Sequence, residues 1–318
     1  MLDQTKENRE QRRPGALGVH SLDHFSLMVP DLAEAVAFYT SFGLDLRAEG
    51  DAFGVYTFGH PHRWGVLQEG KRKRFGYLSF GIFEDDLPAF RKRFEQMNVE
   101  RIAPPPGNES NGIWFYDEEG NVVELAVKPK SSPTEKSGFH DVSSPPGVAG
   151  APLRSRAPII RLRRLSHIAL FTADVSRKVE FYSRVLGLRL SDRSGDFAAF
   201  LHGPHGSEHH MLAVAKSGGP GFHHCSWDVG SINDIGLGTT QMLAKGYDRL
   251  WGVGRHVMGS NYFCYVADPW GSYSEYSADM DYIPEDFDWQ PHDHAPEDAF
   301  TLWGPAPPPE FIINHEIA

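Results

Sequence analysis

The sequence predicts an α+β fold of tandem βαβββ modules, arranged as two domains of two modules each. Three observations carry this. The stretch LSHIALFTADVSRKVEFYSRVLGLRL matches the earlier LDHFSLMVPDLAEAVAFYTSFGLDL, so His167 falls on His24, Asp174 on Asp31 and Phe181-Tyr182 on Phe38-Tyr39. Further on, DPWGSYSE (268–275) falls on DEEGNVVE (117–124), which makes the chain a tandem duplication. Within each half a strand–helix–strands pattern occurs twice, giving four modules.

Taken in order, residues 1–19 are polar and charged with a break at Pro14-Gly15, and read as a loose N-terminal arm. From Leu22 the pattern DHFSLMV is a strand. Asp31 with Glu34 three residues on is an N-cap with a capping-box partner. Leu32, Val36 and Tyr39 recur at helical spacing, and Gly43 suits the residue just past the helix end. Short strands follow to about Leu67. From Gly76 to Val127 the order is strand, helix near 87–97, then strands. Residues 20–130 are the expected N-terminal domain, without a complete metal site. Residues 131–160 are rich in Pro, Ser, Gly and charge with no apolar period, and read as a linker. Residues 161–281 repeat the pattern as the expected catalytic domain. The segment 282–318 is rich in Trp, Phe, Pro, Asp and His, and is a candidate lid over a pocket, the alternative being a surface wrap or subunit contact.

Bulk properties exclude some classes. A chain of 318 residues is long enough for two real cores. A formal net charge of −11 and a sequence pI near 5.8 argue against nucleic acid as a partner. The basic run Lys71–Arg74 reads as a solvated turn. No apolar stretch is long enough to span a membrane, and no apolar leader opens the chain. Two cysteines, Cys225 and Cys264, fit a reducing, cytoplasmic setting rather than a disulfide framework.

The chemistry concentrates in GRHVMGSNYFCYVADPWGSYSEY (254–276). Strand-like runs at 262–266 and 272–276 flank the turn Asp268-Pro269-Trp270-Gly271, so a hairpin brings Tyr265 across from Glu275. An inward carboxylate on a strand is costly unless something positive pairs with it. The duplication suggests what. His167 opens one module, His224 opens the next and Glu275 closes it, whereas the first half has His24, Tyr77 and Glu124 at those places. Two histidines and one carboxylate with open coordination positions are the ligand set of non-haem Fe(II) oxygenases, and serve Mn(II) or Zn(II) too. Singly, each would be an ordinary strand residue, His167 a satisfied core histidine; the combination favours metal.

These residues resemble the type I extradiol ring-cleaving (catechol 2,3-) dioxygenases of the vicinal oxygen chelate superfamily, whose fold is glyoxalase-like. The resemblance covers nearly all of residues 20–290. Its most specific part is Gly254-x-His256, Tyr265, Asp268-Pro269-x-Gly271 and Glu275. Cys264 departs from the usual larger side chain, a packing change before Tyr265. The other matching pieces are His167 in SHIAL, His209-His210 in SEHHMLAV and His223-His224 in GFHHCSWDV. On a strand, one residue of each His-His pair would face the metal cavity, and parity alone does not choose. The resemblance chooses the second of each. His224 becomes a ligand with His167 and Glu275, and His210 the acid–base residue; His209 and His223 are left as structural histidines.

The resemblance implies Fe(II), with Mn(II) able to use the same ligands, a catechol-type substrate and O₂ as partners, ring opening outside the diol, and a homo-oligomer, a tetramer in this family. A histidine with an ordinary pKa near 6.5 can take a catechol proton and return it. His256 and Tyr265 would hydrogen-bond to a substrate oxygen as charge shifts. Relatives that cleave carboxylated catechols use an arginine five residues before the equivalent of His256, where this chain has Trp251. A further pair of arginines in the C-terminal segment is replaced by acidic residues near Glu297-Asp298. An uncharged alkyl-, halo- or aryl-substituted catechol, giving a muconate-semialdehyde-type product in aromatic catabolism, is the expectation. Two rivals are another superfamily enzyme, glyoxalase-like or 2-oxo-acid-dependent, and a non-catalytic small-molecule-binding protein of this fold. The first would call for a second carboxylate ligand or a different cosubstrate. The second has no use for His167, His224, Glu275 and His210 together.

Overall fold

Four modules follow one another in the computed structural model, which describes residues 11–140 and 143–317. The first comprises β1 (Ser21–Val29), α1 (Leu32–Phe42), β2 (Asp45–Glu49), β3 (Ala52–Tyr56) and β4 (Arg63–Glu69). The second comprises β5 (Arg74–Ile82), α2 (Leu87–Gln96), β6 (Arg101–Ile102), β7 (Ile113–Tyr116) and β8 (Val122–Val127). The third holds β9 (Arg164–Thr172), α3 (Val175–Leu186), β10 (Arg189–Ser194), β11 (Ala198–His202), a short β12 (Ser207–Glu208) and β13 (Leu212–Lys216). The fourth holds β14 (Gly221–Asp228), α4 (Ile232–Ala244), β15 (Leu250–His256), β16 (Tyr262–Ala267) and β17 (Tyr273–Ala278). The C-terminal segment adds β18 (Tyr282–Ile283), β19 (His292–Asp293), α5 (Pro296–Ala299) and β20 (Thr301–Trp303).

Local signals read from the sequence do their expected work. The Asp31 side chain accepts from the Glu34 N–H at 2.9 Å, and Asp174, its repeat partner, accepts from Arg177 at 2.9 Å. Gly43 ends α1 at φ 110°, a conformation costly for any side chain. The two repeat turns are built alike. Asp117 Oδ1 accepts from the Glu119 and Asn121 N–H groups, and Asp268 Oδ1 from those of Trp270 and Ser272.

Each half is built on one large sheet, ordered β2-β3-β4-β1-β5-β8-β7-β6 and β19-β10-β11-β13-β9-β14-β17-β16-β15-β20, and β12 pairs with β18 in a separate two-stranded sheet. The first strands of the paired modules run antiparallel (β1 with β5, β9 with β14), and each also pairs in parallel with the last β-sheet strand of its own module. Residues of β9, β14 and β17 thus sit side by side at the sheet centre. One hydrophobic core runs through both halves. There Phe42 stacks on Tyr276 at 3.9 Å, and the Tyr276 hydroxyl donates to the Phe42 carbonyl at 2.8 Å. Lys178 on α3 is wholly buried and pairs with Asp117 of the other half at 2.8 Å.

Three readings from the sequence meet a different environment. Residues 1–10 lie outside the described residues, but 11–19 are fastened down. Arg12 pairs with Asp85 at 2.8 Å and with Asp86, Arg13 binds Asp288 and the Glu285 and Phe287 carbonyls, and Val19 is buried. The turn at Lys71–Arg74 is not uniformly solvated. Lys73 is buried, because its ammonium reaches the Phe222 carbonyl, the Ser272 hydroxyl and, at 3.0 Å, the Glu316 carboxylate near the C-terminus. Glu297 and Asp298 lie on α5 and are exposed. Among the described residues no helix is long and apolar enough to cross a membrane.

Candidate metal and active site

His167 on β9, His224 on β14 and Glu275 on β17 come from three neighbouring strands, and register brings their side chains together. His167 Nε2 lies 3.1 Å from His224 Nε2 and 3.3 Å from Glu275 Oε2; His224 Nε2 is 3.8 Å from Glu275 Oε2. All three residues are buried, and among the described residues they form the group of three whose donor atoms all lie within 4.8 Å of one another. Glu275 Oε2 has no hydrogen-bond partner. An ionised oxygen cannot stay buried and unpartnered without cost, so this orphaned acceptor between two imidazole Nε2 atoms fits a divalent cation. Burial works against charge on Glu275, yet the His167 ring beside it holds the carboxyl below its ordinary pKa. Burial, then the neighbouring imidazoles His223, His167 and His256, hold His224 far below the ordinary histidine value, keeping it neutral as a ligand must be.

Supports for these three side chains come from nearby in sequence. Asn261 Nδ2 donates to Glu275 Oε1 at 3.1 Å and to Ser277 at 2.9 Å. Asn261 was not singled out in the sequence, although a small amide midway between His256 and Tyr265 was the available signal. Tyr265 stands directly across from Glu275 in the β16–β17 ladder. Its hydroxyl is 3.1 Å from His256 Nε2, while His256 Nδ1 is 2.8 Å from the Phe300 carbonyl. A carbonyl accepts, so His256 carries its proton on Nδ1 and Tyr265 donates to Nε2. Burial lowers the His256 pKa; burial and then Glu275 drive that of Tyr265 well up, so both are neutral.

His210 lines the same cavity, its ring 4.1 Å from that of His167. Burial, then the imidazoles of His167, His209, His224 and His256, push its pKa well below the usual range. The expectation that one residue of each His-His pair faces the cavity fails for His223-His224. A bulge between Phe222 and His224 in β14 breaks the alternation, and both rings line the cavity. His209-His210 lie in the bend between β12 and β13, where strand parity does not apply. His209 is buried away from the cavity.

The cavity, about 950 Å³ with its open mouth, is walled mainly by apolar side chains of both the third module and the C-terminal segment. Phe171, Phe200 and Val214 line it from the third module, and Phe300, Phe311 and Ile312 from the C-terminal segment. Trp251 is part of this wall, stacked on Tyr265 at 5.0 Å, with its indole N–H given to the Pro305 carbonyl at 2.9 Å. Glu297 and Asp298 are not among the lining residues. Lys216 is, at the rim, and its ammonium is paired with Asp196 at 2.8 Å.

The first half shows why its equivalent residues differ. His24 Nε2 meets the Tyr77 hydroxyl at 3.1 Å and His24 Nδ1 meets Asp23 at 2.7 Å; Tyr77 donates to Asn108 and Ser79 to Glu124. Where the second half brings two imidazole Nε2 atoms and a carboxylate oxygen together, the first half has no second imidazole: His24 is tied to Tyr77 and Asp23, and Glu124 keeps one oxygen on Ser79 and the other without a partner.

Residues 21–125 and 164–276 match the Glyoxalase/Bleomycin resistance protein/Dioxygenase superfamily. The chain is 46% identical to metapyrocatechase 2 of Cupriavidus necator over 298 residues, covering 94% of this chain and 93% of that one. It is 30% identical to biphenyl-2,3-diol 1,2-dioxygenase of Paraburkholderia xenovorans over 310 residues, 91% of this chain and 95% of the other. Among solved structures, an extradiol ring-cleaving dioxygenase from B. fuscum superposes with a TM-score of 0.74 at 21% identity, covering 94% of this chain and 83% of the other. The Mn(II)-bound glyoxalase from Novosphingobium aromaticivorans superposes with a TM-score of 0.70 at 23% identity, covering 95% and 99%. Those two likenesses speak to the fold. Duplicated modules, a site on three adjoining strands and 46% identity to a metapyrocatechase over 94% of the chain place it in the Glyoxalase/Bleomycin resistance protein/Dioxygenase superfamily, in its extradiol, meta-cleaving catechol dioxygenase branch.

Proposed function

We propose that the chain cleaves an uncharged alkyl-, halo- or aryl-substituted catechol with O₂, using Fe(II) held by His167, His224 and Glu275, to a muconate-semialdehyde-type product. The observation that supports this best is the convergence of those donor atoms beside a largely apolar cavity that His210, His256 and Tyr265 also line. His167, His224 and Glu275 would hold Fe(II), or Mn(II) with the same donors, and the metal when bound would supply Lewis acidity toward the diol and redox chemistry with O₂. The remaining work belongs to side chains. His210, kept neutral by burial, accepts a catechol proton and later returns it. The proton shared by Tyr265 and His256 is offered to a substrate oxygen as negative charge builds there. Phe311 and Ile312 of the C-terminal segment act as a lid that keeps water from the ring.

The charge preference follows from the walls. Trp251 presents an indole where a carboxylate would need a cation, Lys216 is already paired, and burial lowers the His223 pKa to about 3, so that ring is neutral. A buried substrate carboxylate would lack a bidentate partner, a cost of several kcal/mol. A second carboxylate ligand, which a glyoxalase-like isomerase would call for, is not in the donor group among the described residues. The test is anaerobic Fe(II) loading followed by a catechol panel under O₂, watching for a yellow ring-fission product. The proposal expects a much larger specificity constant for catechol and methylcatechol than for 3,4-dihydroxyphenylacetate. Equal or better turnover of the carboxylated substrate would overturn the charge assignment, and no product from any catechol would overturn the reaction.

A further inference from the structure

A line of three buried groups runs from the cavity outward: His210, His209 and Asp192. His210 Nδ1 lies 3.0 Å from His209 Nδ1, and His209 Nε2 lies 2.8 Å from Asp192 Oδ2. His209 is completely enclosed, and the Ser191 hydroxyl donates to its carbonyl while the Trp289 ring meets its edge at 5.4 Å. Asp192, on β10, is fixed by the C-terminal segment. The His292 N–H of β19 donates to Asp192 Oδ1 at 2.8 Å, and His294 Nε2 is 3.4 Å from the same oxygen.

Donor and acceptor rules run along this line in one direction. An ionised carboxylate accepts only, so His209 carries its proton on Nε2. A neutral imidazole has one N–H, which leaves His209 Nδ1 as a bare acceptor. Two bare nitrogens at 3.0 Å would repel, so His210 carries its proton on Nδ1. His210 is left with a bare Nε2, the ring nitrogen free for a ligand in the cavity.

We infer that Asp192 and His209 are positioning residues that fix His210 in the Nδ1–H tautomer, so that its Nε2 meets the substrate as a base. This rests on the acid–base reading of His210 proposed above. It gives His209 a role that its burial alone does not suggest. It also gives the C-terminal segment a second task, since β19 holds the carboxylate at the far end of the line.

Asp192→Asn is the discriminating variant. One side-chain oxygen is already claimed by the His292 N–H, so the amide must turn its NH₂ toward His209. The line then reverses: His209 donates from Nδ1, and His210 moves its proton to Nε2. Long-range ¹⁵N spectra of ¹⁵N-histidine-labelled, metal-free protein read this directly, with His210 assigned by its loss in His210→Phe. The inference expects an Nδ1–H tautomer for His210 in the natural protein and an Nε2–H tautomer in Asp192→Asn. With metal content unchanged, kcat of Asp192→Asn should fall about ten- to a hundred-fold with KM little altered. His209→Gln, whose carbonyl oxygen can still accept from His210, should keep kcat within several-fold of normal while His209→Phe does not. An Nε2–H tautomer in the natural protein, or the same tautomer in both, overturns the inference. Unaltered turnover in fully metallated His210→Phe would instead overturn the acid–base reading, leaving the tautomer result standing as a structural fact.

Discussion

Trp251 and Tyr265 face each other across the β15–β16 ladder, their rings 5.0 Å apart and 15° from parallel. The indole thereby forms cavity wall beside a hydroxyl of the candidate site. Replacing Trp251 by Arg should narrow the gap in specificity constant between catechol and 3,4-dihydroxyphenylacetate by at least tenfold, since one bidentate charge-assisted contact contributes about 1.5–3 kcal/mol. Trp251→Phe, which keeps the wall apolar, should leave the preference in place. Steady-state kinetics on both substrates decide it, and an unchanged gap in the Arg variant means that the wall does not set substrate charge.

The junction between halves makes an opposite-signed prediction to ordinary helix rules. Gly238 sits inside α4, where alanine would normally stabilise by about 1 kcal/mol. A Cβ there would lie 2.7–3.0 Å from the Tyr276 ring, which is itself stacked on Phe42. Gly238→Ala should therefore destabilise, by about 1–3 kcal/mol in urea unfolding. A stabilised variant would show that the packing is looser than described.

Lys73 and Glu316 tie the C-terminus to the first half. Lys73 is 4% exposed at its side chain, and Glu316 also accepts from the Phe75 and Phe222 N–H groups. Glu316→Ala leaves a buried cation short of its counter-charge, at a cost of about 3 kcal/mol. Faster proteolytic nicking of the C-terminal segment should accompany that loss. Unchanged stability would mean that Ser272 and the Phe222 carbonyl suffice for Lys73.

Acid sensitivity should trace to buried histidines remote from the ligands. Burial, then the neighbouring His209, Arg189 and Arg13 side chains, lower the His202 pKa to about 3, with Nδ1 held by Ser191 at 2.7 Å. In the unfolded chain the group titrates near 6.5, so unfolding takes up a proton anywhere between those values. Stability is thus unaffected by His202 above pH 6.5 and falls as pH drops below it. Between pH 7.5 and 5 this amounts to about 2 kcal/mol. His202→Gln should lose that much less stability over the same interval, measured by urea midpoints. Parallel curves would mean that His202 is charged in the fold.

The repeat, the caps and the His167, His224, Glu275 grouping were legible because each depends on spacing along the chain. Tyr265 opposite Glu275 followed from the turn at Asp268–Gly271, which sets the register. What could not be read depended on irregular backbone or distant pairing. The bulge at Phe222–His224 overturned the alternation on which the His-His argument rested. Lys73 looked like one charge in a basic run because its partner, Glu316, comes from the other end of the chain. Glu297 and Asp298, acidic where relatives carry arginines, are exposed and do not line the cavity. Asn261 and the Phe300 carbonyl carry no distinctive pattern, and β19, which fixes Asp192, is two residues long.

We propose that the second half alone binds the catalytic metal, through His224 with His167 and Glu275, while Tyr77 marks the half that does not. Metal analysis of anaerobically Fe(II)-loaded, desalted protein tests this most directly. One equivalent per chain is expected in the natural protein and in Tyr77→Phe, and near zero in folded His224→Ala. Two equivalents per chain, or full retention in His224→Ala, would contradict it.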